Sequence, residues 1–280
     1  RPGSGGSLPG RHAGADLNYR ERIAQSIAPL QGSLFRVVES QEDIATARIV
    51  DSMQEQNRLE ELLESNKPPV PGTARKRHYL LTTPFRYPPL KYGSRFGRNF
   101  EPSLFYGAMA IPAALAETAF YRFVFMSHLK TPFKRPLTTL HTVFSARFRT
   151  ERGVRLQSER WQDLHHTLTD PVSYRESQAV GTDMRSLQVG AFQFLSARAL
   201  QAGLYALPYH PDNGVEGVNV ALFNVSVFRD AAPRSYQKLI AVTSPSQVSM
   251  SLSEPDGSKK VYEFSLDQFL VEGELPQPAP

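Results

Sequence analysis

The sequence has 280 residues, with 32 Lys and Arg against 27 Asp and Glu, a formal charge of +5 and no cysteine. The lack of cysteine excludes disulfides, thiolate-bound zinc or iron–sulfur sites and a cysteine nucleophile. The apolar fraction of 40% suits a folded protein, and no stretch approaches the ~18 apolar residues of a membrane helix. The modest, scattered positive charge argues against direct nucleic-acid binding. With no apolar signal segment at the start, we expect a cytoplasmic protein without membrane contact.

The N-terminal part contains one strong helix signal. Residues 1–17 are rich in Gly, Ser and Pro and indicate a flexible leader or a cloning remnant outside the fold. Ser40 suits a helix N-cap, and apolar residues recur at helical spacing after it, which predicts a helix over residues 40–66. A Pro-rich run from Lys67 to Gly72 ends that helix. Two alternatives stay open for the helix: packing against the core, or a docking surface for a partner.

The rest of the chain mixes strands and helices. Strands are predicted at 78–83, 104–107, 137–148, 204–209, 219–228, 238–243, 247–252 and 260–264, and helices at 113–128, 161–168 and 183–201. Because no regular β–α–β order is present, the pattern favours an α+β fold with a mixed, largely antiparallel sheet core and flanking helices. We predict a single domain over residues 30–272, which includes the helical segment 40–66, and a loose tail at 273–280.

Common catalytic motifs are absent from the sequence. It has no dinucleotide-binding glycine fingerprint, no phosphate loop ending in Gly-Lys-Ser/Thr, no Gly-x-Ser-x-Gly and no His-Glu-x-x-His. His165 and His166 are adjacent, so on a helix their side chains point about 100° apart and make a poor chelate. No metal site is therefore expected.

The segment from His78 to Arg122 concentrates the candidate chemistry. A loop interleaves arginines with tyrosine and phenylalanine, and the helix after it carries Glu117 among apolar residues. A carboxylate in such surroundings needs a partner, so a salt bridge to a nearby arginine and a functional role stay open alternatives. Arginine forks bind pyrophosphate, aromatic rings stack on flat heterocycles, and a glutamate stabilises the charge that develops when a glycosidic bond breaks. This set suits cleavage of the nicotinamide–ribose bond of NAD⁺.

The same segment carries a family resemblance. GSRFGRNFEPSLFYGAMAIPAALAETAFYR, residues 93–122, resembles the RES-domain family, the toxin halves of bacterial toxin–antitoxin pairs. A weaker similarity covers residues 195–223. The helix at 40–66 and the run HYLLTTPFRYPPLKYGSRF are similar to the ParT-type branch of that family. On this matching Arg95, Tyr106 and Glu117 fall at the family's arginine, tyrosine and glutamate.

The resemblance implies a fold and activity similar to those of diphtheria-toxin-like ADP-ribosyltransferases. NAD⁺ would be the substrate, without a metal, and the ADP-ribose would pass to a protein acceptor, in the ParT-type branch phosphoribosyl pyrophosphate synthetase. A cognate antitoxin would cover the site. Two alternatives remain: an NAD⁺ glycohydrolase or phosphorylase with the same site, and a non-catalytic binding module with the same fold.

Residue roles follow from that resemblance. Arg95 would bind the phosphates or the nicotinamide ribose, Tyr106 would stack on nicotinamide, and Glu117 would bind the ribose and stabilise an oxocarbenium-like transition state. For Tyr106 a core aromatic is the alternative, for His78 a core histidine, and for the loop arginines a solvated charge. Second-rank NAD⁺ contacts would be His78, Arg86, Arg98, Tyr209 and Asn219.

The family's serine has no counterpart at its expected place. That serine follows a proline in the later strand, whereas here Pro208 is followed by Tyr209 and His210. One of these two side chains is expected to take its part at the ligand, or else the pocket is arranged differently.

Overall fold

The computed structural model describes residues 19–40, 77–131, 135–210, 212 and 214–277. The predicted leader and the predicted helix at 40–66 lie outside these residues, apart from Ser40. The domain limits at residues 30 and 272 stay a prediction.

Helices and strands are mixed along the described chain. The helices are α1 (Tyr19–Ser26), α2 (Tyr79–Arg86), α3 (Ile111–Ser127), α4 (His165–Leu168), α5 (Arg175–Ser186) and α6 (Ala197–Gln201). The strands are β1 (Ala28–Glu39), β2 (Phe105–Ala108), β3 (Leu137–Arg155), β4 (Ala191–Leu195), β5 (Val218–Leu222), β6 (Ser235–Thr243), β7 (Gln247–Ser253) and β8 (Lys259–Ser265). Short 3₁₀ turns span Glu159–Leu164, Val225–Val227 and Leu266–Phe269.

The strands form one eight-stranded sheet in the order β1-β2-β5-β4-β3-β6-β7-β8. Because β1 also pairs with β3, the first five strands close on themselves, and β6 to β8 extend from the long β3. The β3–β4 pair is parallel, and the other strand pairs are antiparallel. The predicted α+β class with a mixed, largely antiparallel sheet and flanking helices is confirmed.

Helix α3 lies where the closed part of the sheet meets the extension. Pro112 sits in its first turn, where a missing N–H costs nothing. Leu115, Phe120 and Phe123 are buried, and they join an apolar cluster with residues of β6, β7 and β8. This packing fixes the helix against the sheet and leaves Glu117 half-buried beside the closed strands.

The predicted strand at 78–83 was wrong. The segment begins helix α2, whose N-cap His78 accepts a hydrogen bond at Nδ1 from the Leu80 N–H. Leu81 and Phe85, four residues apart, pack on the same apolar cluster, which contains Phe105 and Phe228. The helical spacing of these buried side chains outweighs the strand preference of the short apolar run.

The predicted helix at 183–201 was also wrong, because the range holds three elements. Helix α5 ends at Ser186, Gln188 turns the chain at φ 55°, and strand β4 follows before the short α6. Every residue of β4 is buried. A strand covered on both faces is continuously apolar, and its periodicity does not distinguish it from a buried helix.

Other predicted boundaries shift. The predicted strand at 204–209 is irregular, and the predicted strand at 219–228 ends at Leu222, before Asn224 caps a 3₁₀ turn. Strand β3 extends to Arg155 instead of ending at 148. The predicted helix at 161–168 is a 3₁₀ turn followed by α4.

Candidate functional site

The Glu117 carboxylate is held by two neutral donors. Its Oε1 accepts hydrogen bonds from Ser196 Oγ at 2.7 Å and from Asn219 Nδ2 at 2.8 Å. These donors come from two different parts of the sheet, the end of β4 and the start of β5. The partners seen for this carboxylate in the described chain are therefore a hydroxyl and an amide, which favours the functional alternative over a salt bridge to arginine.

Ser196 is oriented by the helix that follows it. It is fully buried and forms the N-cap of α6, where its Oγ accepts a hydrogen bond from the Ala199 N–H at 2.9 Å. Because that N–H occupies the acceptor side of the hydroxyl, its single proton points to Glu117. This serine was not predicted from the sequence, because the family's serine was expected after Pro208.

The position of Asn219 follows from strand register. It pairs with Ala108 on one side and with Phe194 on the other, so it shares a sheet face with Tyr106, two residues before Ala108. Its amide nitrogen binds Glu117, while its buried Oδ1 has no hydrogen-bond partner among the described residues. Asn219, expected to contact NAD⁺, therefore lies beside the predicted catalytic carboxylate and holds it.

Tyr106 connects β2 to the loop that carries Arg95. Its hydroxyl lies 2.9 Å from Ser94 Oγ and accepts a hydrogen bond from the Phe96 N–H at 3.1 Å. Burial raises the pKa of Tyr106 to about 12, so the phenol stays neutral at physiological pH. Both neighbours of Arg95 are thus tied to one hydroxyl, while stacking of Tyr106 on nicotinamide stays a prediction.

The Arg95 side chain is held by two backbone carbonyl groups and by an aromatic ring. Its Nη1 donates to the carbonyl oxygens of Leu168 at 3.1 Å and Asp170 at 2.8 Å. Its guanidinium carbon lies 4.4 Å from the centre of the Tyr174 ring, a cation–π contact. The side chain is therefore fixed on one edge and stacked on one face before any ligand is bound.

Arg198 of helix α6, which was not predicted as a site residue, is a second arginine that contacts the segment 168–174. It is 3% exposed and lies 3.5 Å from the centre of the Phe120 ring. Its Nη2 donates to Pro171 O at 3.0 Å and approaches the Tyr174 hydroxyl at 3.5 Å. Burial lowers its pKa. The guanidinium groups of Arg95 and Arg198 therefore both contact the segment 168–174.

Tyrosines border the site, and composition alone did not mark them. Tyr121 follows Glu117 by one helical turn and is 55% exposed. Tyr205 donates its hydroxyl to the Ser196 carbonyl at 3.0 Å, and burial raises its pKa. The spacing of Tyr121 from Glu117 was a usable sequence signal, whereas the contact of Tyr205 depends on the loop path.

Three of the predicted NAD⁺ contacts lie on α2 and on the loop after it, and their contact with a ligand stays a prediction. His78 caps α2, and its N–H donates to Ala231 O at 2.7 Å. Helix α2 packs on Phe105, whose side chain is on the face opposite to Tyr106, so His78 is not brought beside Glu117. Arg86 ends that helix. Arg98 lines a surface cavity of about 500 Å³.

The two residues expected to replace the family's serine do not reach Glu117. The Tyr209 hydroxyl donates to Gly214 O at 2.6 Å, and its buried ring packs with Leu195 and Val218. His210 is exposed. The hydroxyl beside the carboxylate belongs to Ser196, which favours the alternative of a differently arranged pocket, and contact of Tyr209 or His210 with the ligand stays a prediction.

The described residues contain neither a metal-binding cluster nor a membrane-spanning helix. Within the described residues, no group of three or more His, Asp and Glu could hold a metal ion. None of the described helices is long and apolar enough to cross a membrane. The arrangement brings together a fixed carboxylate, an anchored guanidinium and several phenol rings, which suits an anionic ligand with a flat ring.

Comparison with known proteins gives a family match and a similar solved structure. A family model described as RES domain matches residues 70–240, which include Arg95, Tyr106, Glu117, Ser196 and Asn219. No curated protein matches the sequence. Among solved structures, the chain is similar to one in the "Crystal structure of the M.tuberculosis MbcT-MbcA toxin-antitoxin complex", with 12% identity and a TM-score of 0.45, covering 82% of this chain and 94% of that one.

Proposed function

The chain belongs to the RES domain family, and we propose that it is the toxin of a toxin–antitoxin pair that cleaves NAD⁺ and transfers ADP-ribose to a protein. The observation that carries the proposal is the Glu117 carboxylate, fixed by Ser196 and Asn219 on the same sheet face as Tyr106. On this proposal the protein cleaves NAD⁺ in the cytoplasm. A cognate antitoxin binds the protein and covers the site.

Substrate binding uses the groups around the carboxylate. Arg95 offers the rest of its guanidinium to the pyrophosphate, since only Nη1 is engaged by the carbonyls of Leu168 and Asp170. The ring of Tyr106 stacks on nicotinamide, and the exposed Tyr121 borders the entrance. Arg198 adds positive charge behind Arg95 without reaching the surface.

Bond cleavage relies on charge developing next to Glu117. As the bond between ribose C1′ and the nicotinamide nitrogen breaks, the electron pair leaves with nicotinamide and the sugar becomes oxocarbenium-like. A carboxylate held by two donors needs no rearrangement to stabilise that positive charge. A nucleophilic group of the acceptor then adds to C1′ and gives up its proton.

The acceptor separates the leading function from its alternatives. In the ParT-type branch, which this chain resembles, the acceptor is phosphoribosyl pyrophosphate synthetase, and we propose the same acceptor here. Water or phosphate in place of a protein would make the chain an NAD⁺ glycohydrolase or phosphorylase with the same site. A non-catalytic binding module is the third alternative.

The decisive experiment compares the wild type with Glu117→Gln. The variant keeps the shape and loses the charge, so we expect NAD⁺ cleavage to fall about 10²-fold or more. The control is Glu151→Gln, whose carboxylate is 67% exposed on the side chain and pairs only with Arg149 among the described residues. Nicotinamide release is measured with and without phosphate and with purified phosphoribosyl pyrophosphate synthetase, followed by intact mass.

The outcomes distinguish the alternatives. Added mass on the synthetase supports transfer, phosphate-dependent turnover supports phosphorolysis, and turnover without either supports hydrolysis. Equal activity of Glu117→Gln and wild type would exclude the proposed site, and no turnover under any condition would leave the binding module.

A further inference from the structure

The outer side of the loop between α2 and β2 exposes large apolar side chains. Leu90 is 73% exposed and Phe100 is 72% exposed, and Tyr87 and Tyr92 are each 41% exposed. We call the face formed by Leu90, Lys91, Tyr92, Asn99 and Phe100 the loop face. Grouped apolar exposure of this kind is typical of an interaction site, whereas single exposed apolar residues are ordinary.

This loop is firmly anchored on the body of the protein. Phe96 is fully buried between Phe192 and Phe194, and Gln178 of α5 donates to Ser94 O at 3.1 Å. Thr182 of the same helix donates to Glu101 Oε1 at 2.7 Å. The exposed side chains therefore stand on a fixed backbone, and a partner that binds them pays little to order it.

The loop face is also positively charged. It surrounds a cavity of about 500 Å³, which is lined by Lys91, Tyr92, Arg98, Asn99, Phe100 and Gln178. No Asp or Glu occurs between residues 77 and 100. The next acidic residue, Glu101, is buried and accepts a hydrogen bond from the Arg98 N–H. The cations at the cavity are therefore not neutralised by their own loop.

The same loop carries Arg95 into the candidate site. Ser94 and Phe96 both bind the Tyr106 hydroxyl, so the turn that presents Arg95 to a ligand is continuous with the loop face. A macromolecule seated on the loop face lies next to the residue that, on the proposed function, binds the NAD⁺ phosphates.

We propose that the loop face docks the protein acceptor of ADP-ribose through an acidic segment that carries an apolar side chain. The apolar side chain enters the cavity against Phe100 and Tyr92, and the carboxylates pair with Lys91 and Arg98. This inference rests on the proposed transfer to a protein and names the surface that selects the acceptor.

The test is a double variant of the loop face, Lys91→Glu with Phe100→Ser. The matched control is Lys238→Glu with Tyr236→Ser, which makes the same type of change at two exposed positions on β6. A bacterial lysate supplemented with phosphoribosyl pyrophosphate synthetase is incubated with biotin-labelled NAD⁺, and labelled protein is quantified. NAD⁺ cleavage without added protein is measured in parallel.

We expect the loop-face variant to lose about 10-fold or more in protein labelling, while its NAD⁺ cleavage without protein and its thermal unfolding match those of the control. Labelling equal to the wild type overturns the inference. A variant that labels normally but no longer binds the antitoxin overturns it too, and assigns the loop face to the antitoxin.

Failure of the proposed function gives different results. A wild type that cleaves NAD⁺ but labels no protein removes the acceptor, and with it the docking surface. A wild type that cleaves NAD⁺ neither alone nor in the presence of the lysate and synthetase removes the catalytic proposal itself.

Discussion

The Ser196 hydroxyl lies 2.7 Å from the Glu117 carboxylate, while the Ala199 N–H holds the same oxygen from the opposite side at 2.9 Å. One serine therefore caps a helix and directs a proton at the predicted catalytic carboxylate. The two roles have different consequences. Loss of the cap lowers the free energy of unfolding, and loss of the directed proton removes a hydrogen bond from the Glu117 carboxylate.

Ser196→Ala separates these tasks when it is compared with Ser265→Ala. Ser265 forms a capping box with Gln268 away from the site, so each variant loses a cap worth about 1 kcal/mol. We expect NAD⁺ cleavage to fall about 10-fold or more only in Ser196→Ala, because the half-buried Glu117 carboxylate loses one of its two donors. Equal activity of the two variants would argue against a role for Ser196 beyond the cap.

Tyr174 supports Arg95 through its ring and approaches Arg198 through its hydroxyl. Tyr174→Phe keeps the ring, so we expect little change in NAD⁺ binding. Tyr174→Leu removes the cation–π contact, and we expect the KM for NAD⁺ to rise about 5- to 10-fold with a smaller change in kcat. Steady-state kinetics of both variants provide the measurement, and indistinguishable KM values would contradict the stacking role.

Gly181 allows helix α5 to approach the Arg95 loop. A Cβ at this position would lie 2.0 Å from the Phe96 carbonyl oxygen, so Gly181→Ala must push the loop away from the helix. We expect a loss of about 1–3 kcal/mol in the free energy of unfolding, measured by denaturant titration. Arg175→Ala, at an exposed position of the same helix, serves as the control and should change stability much less. A neutral Gly181→Ala would show that the loop shifts freely.

The burial of His165 predicts that the free energy of unfolding depends on pH. It is 3% exposed, its Nε2 lies 3.1 Å from Leu156 O, and burial lowers its pKa. The unfolded chain therefore binds a proton at this histidine more readily than the folded chain does. The contribution of His165 to the free energy of unfolding is complete above the ordinary histidine pKa of about 6.5, and it is lost as the pH falls through the lowered pKa of the folded state.

The measurement is the free energy of unfolding between about pH 7 and 5, for wild type and His165→Gln. We expect a smaller decrease in His165→Gln, whereas His128→Gln, at an exposed position, should retain the wild-type slope. The lowered pKa of His141, which burial also causes, contributes in the same direction and keeps the residual slope above zero. An unchanged slope in His165→Gln would exclude this histidine as a source.

Several residues of the candidate site could be predicted from local sequence. Arg95, Tyr106 and Glu117 lie within one short stretch, and the structure brings the loop of Arg95 and the hydroxyl of Tyr106 together. The helix that carries Glu117 was also predictable, because Pro112 and the apolar run after it determine its start and its buried faces. These features depend on neighbours a few residues apart.

Other elements were not predictable in the same way. Strand β4 was mistaken for a helix because burial on both faces removes the alternation that marks a strand. His78 was placed in a strand because a short apolar run fits either element, and only packing against Phe105 selects the helix. In both cases the deciding contacts come from distant parts of the chain.

The sequence by itself determined the family, the mixed fold class and the position of the predicted catalytic glutamate. Only the tertiary structure decided what holds that glutamate: Ser196 lies 79 residues away along the chain and Asn219 lies 102 residues away. Both reach Glu117 because antiparallel pairing of β4 with β5, and of β5 with β2, sets their register against α3. Local propensity cannot specify such register, since it arises from hydrogen bonds and burial between strands that are remote in sequence.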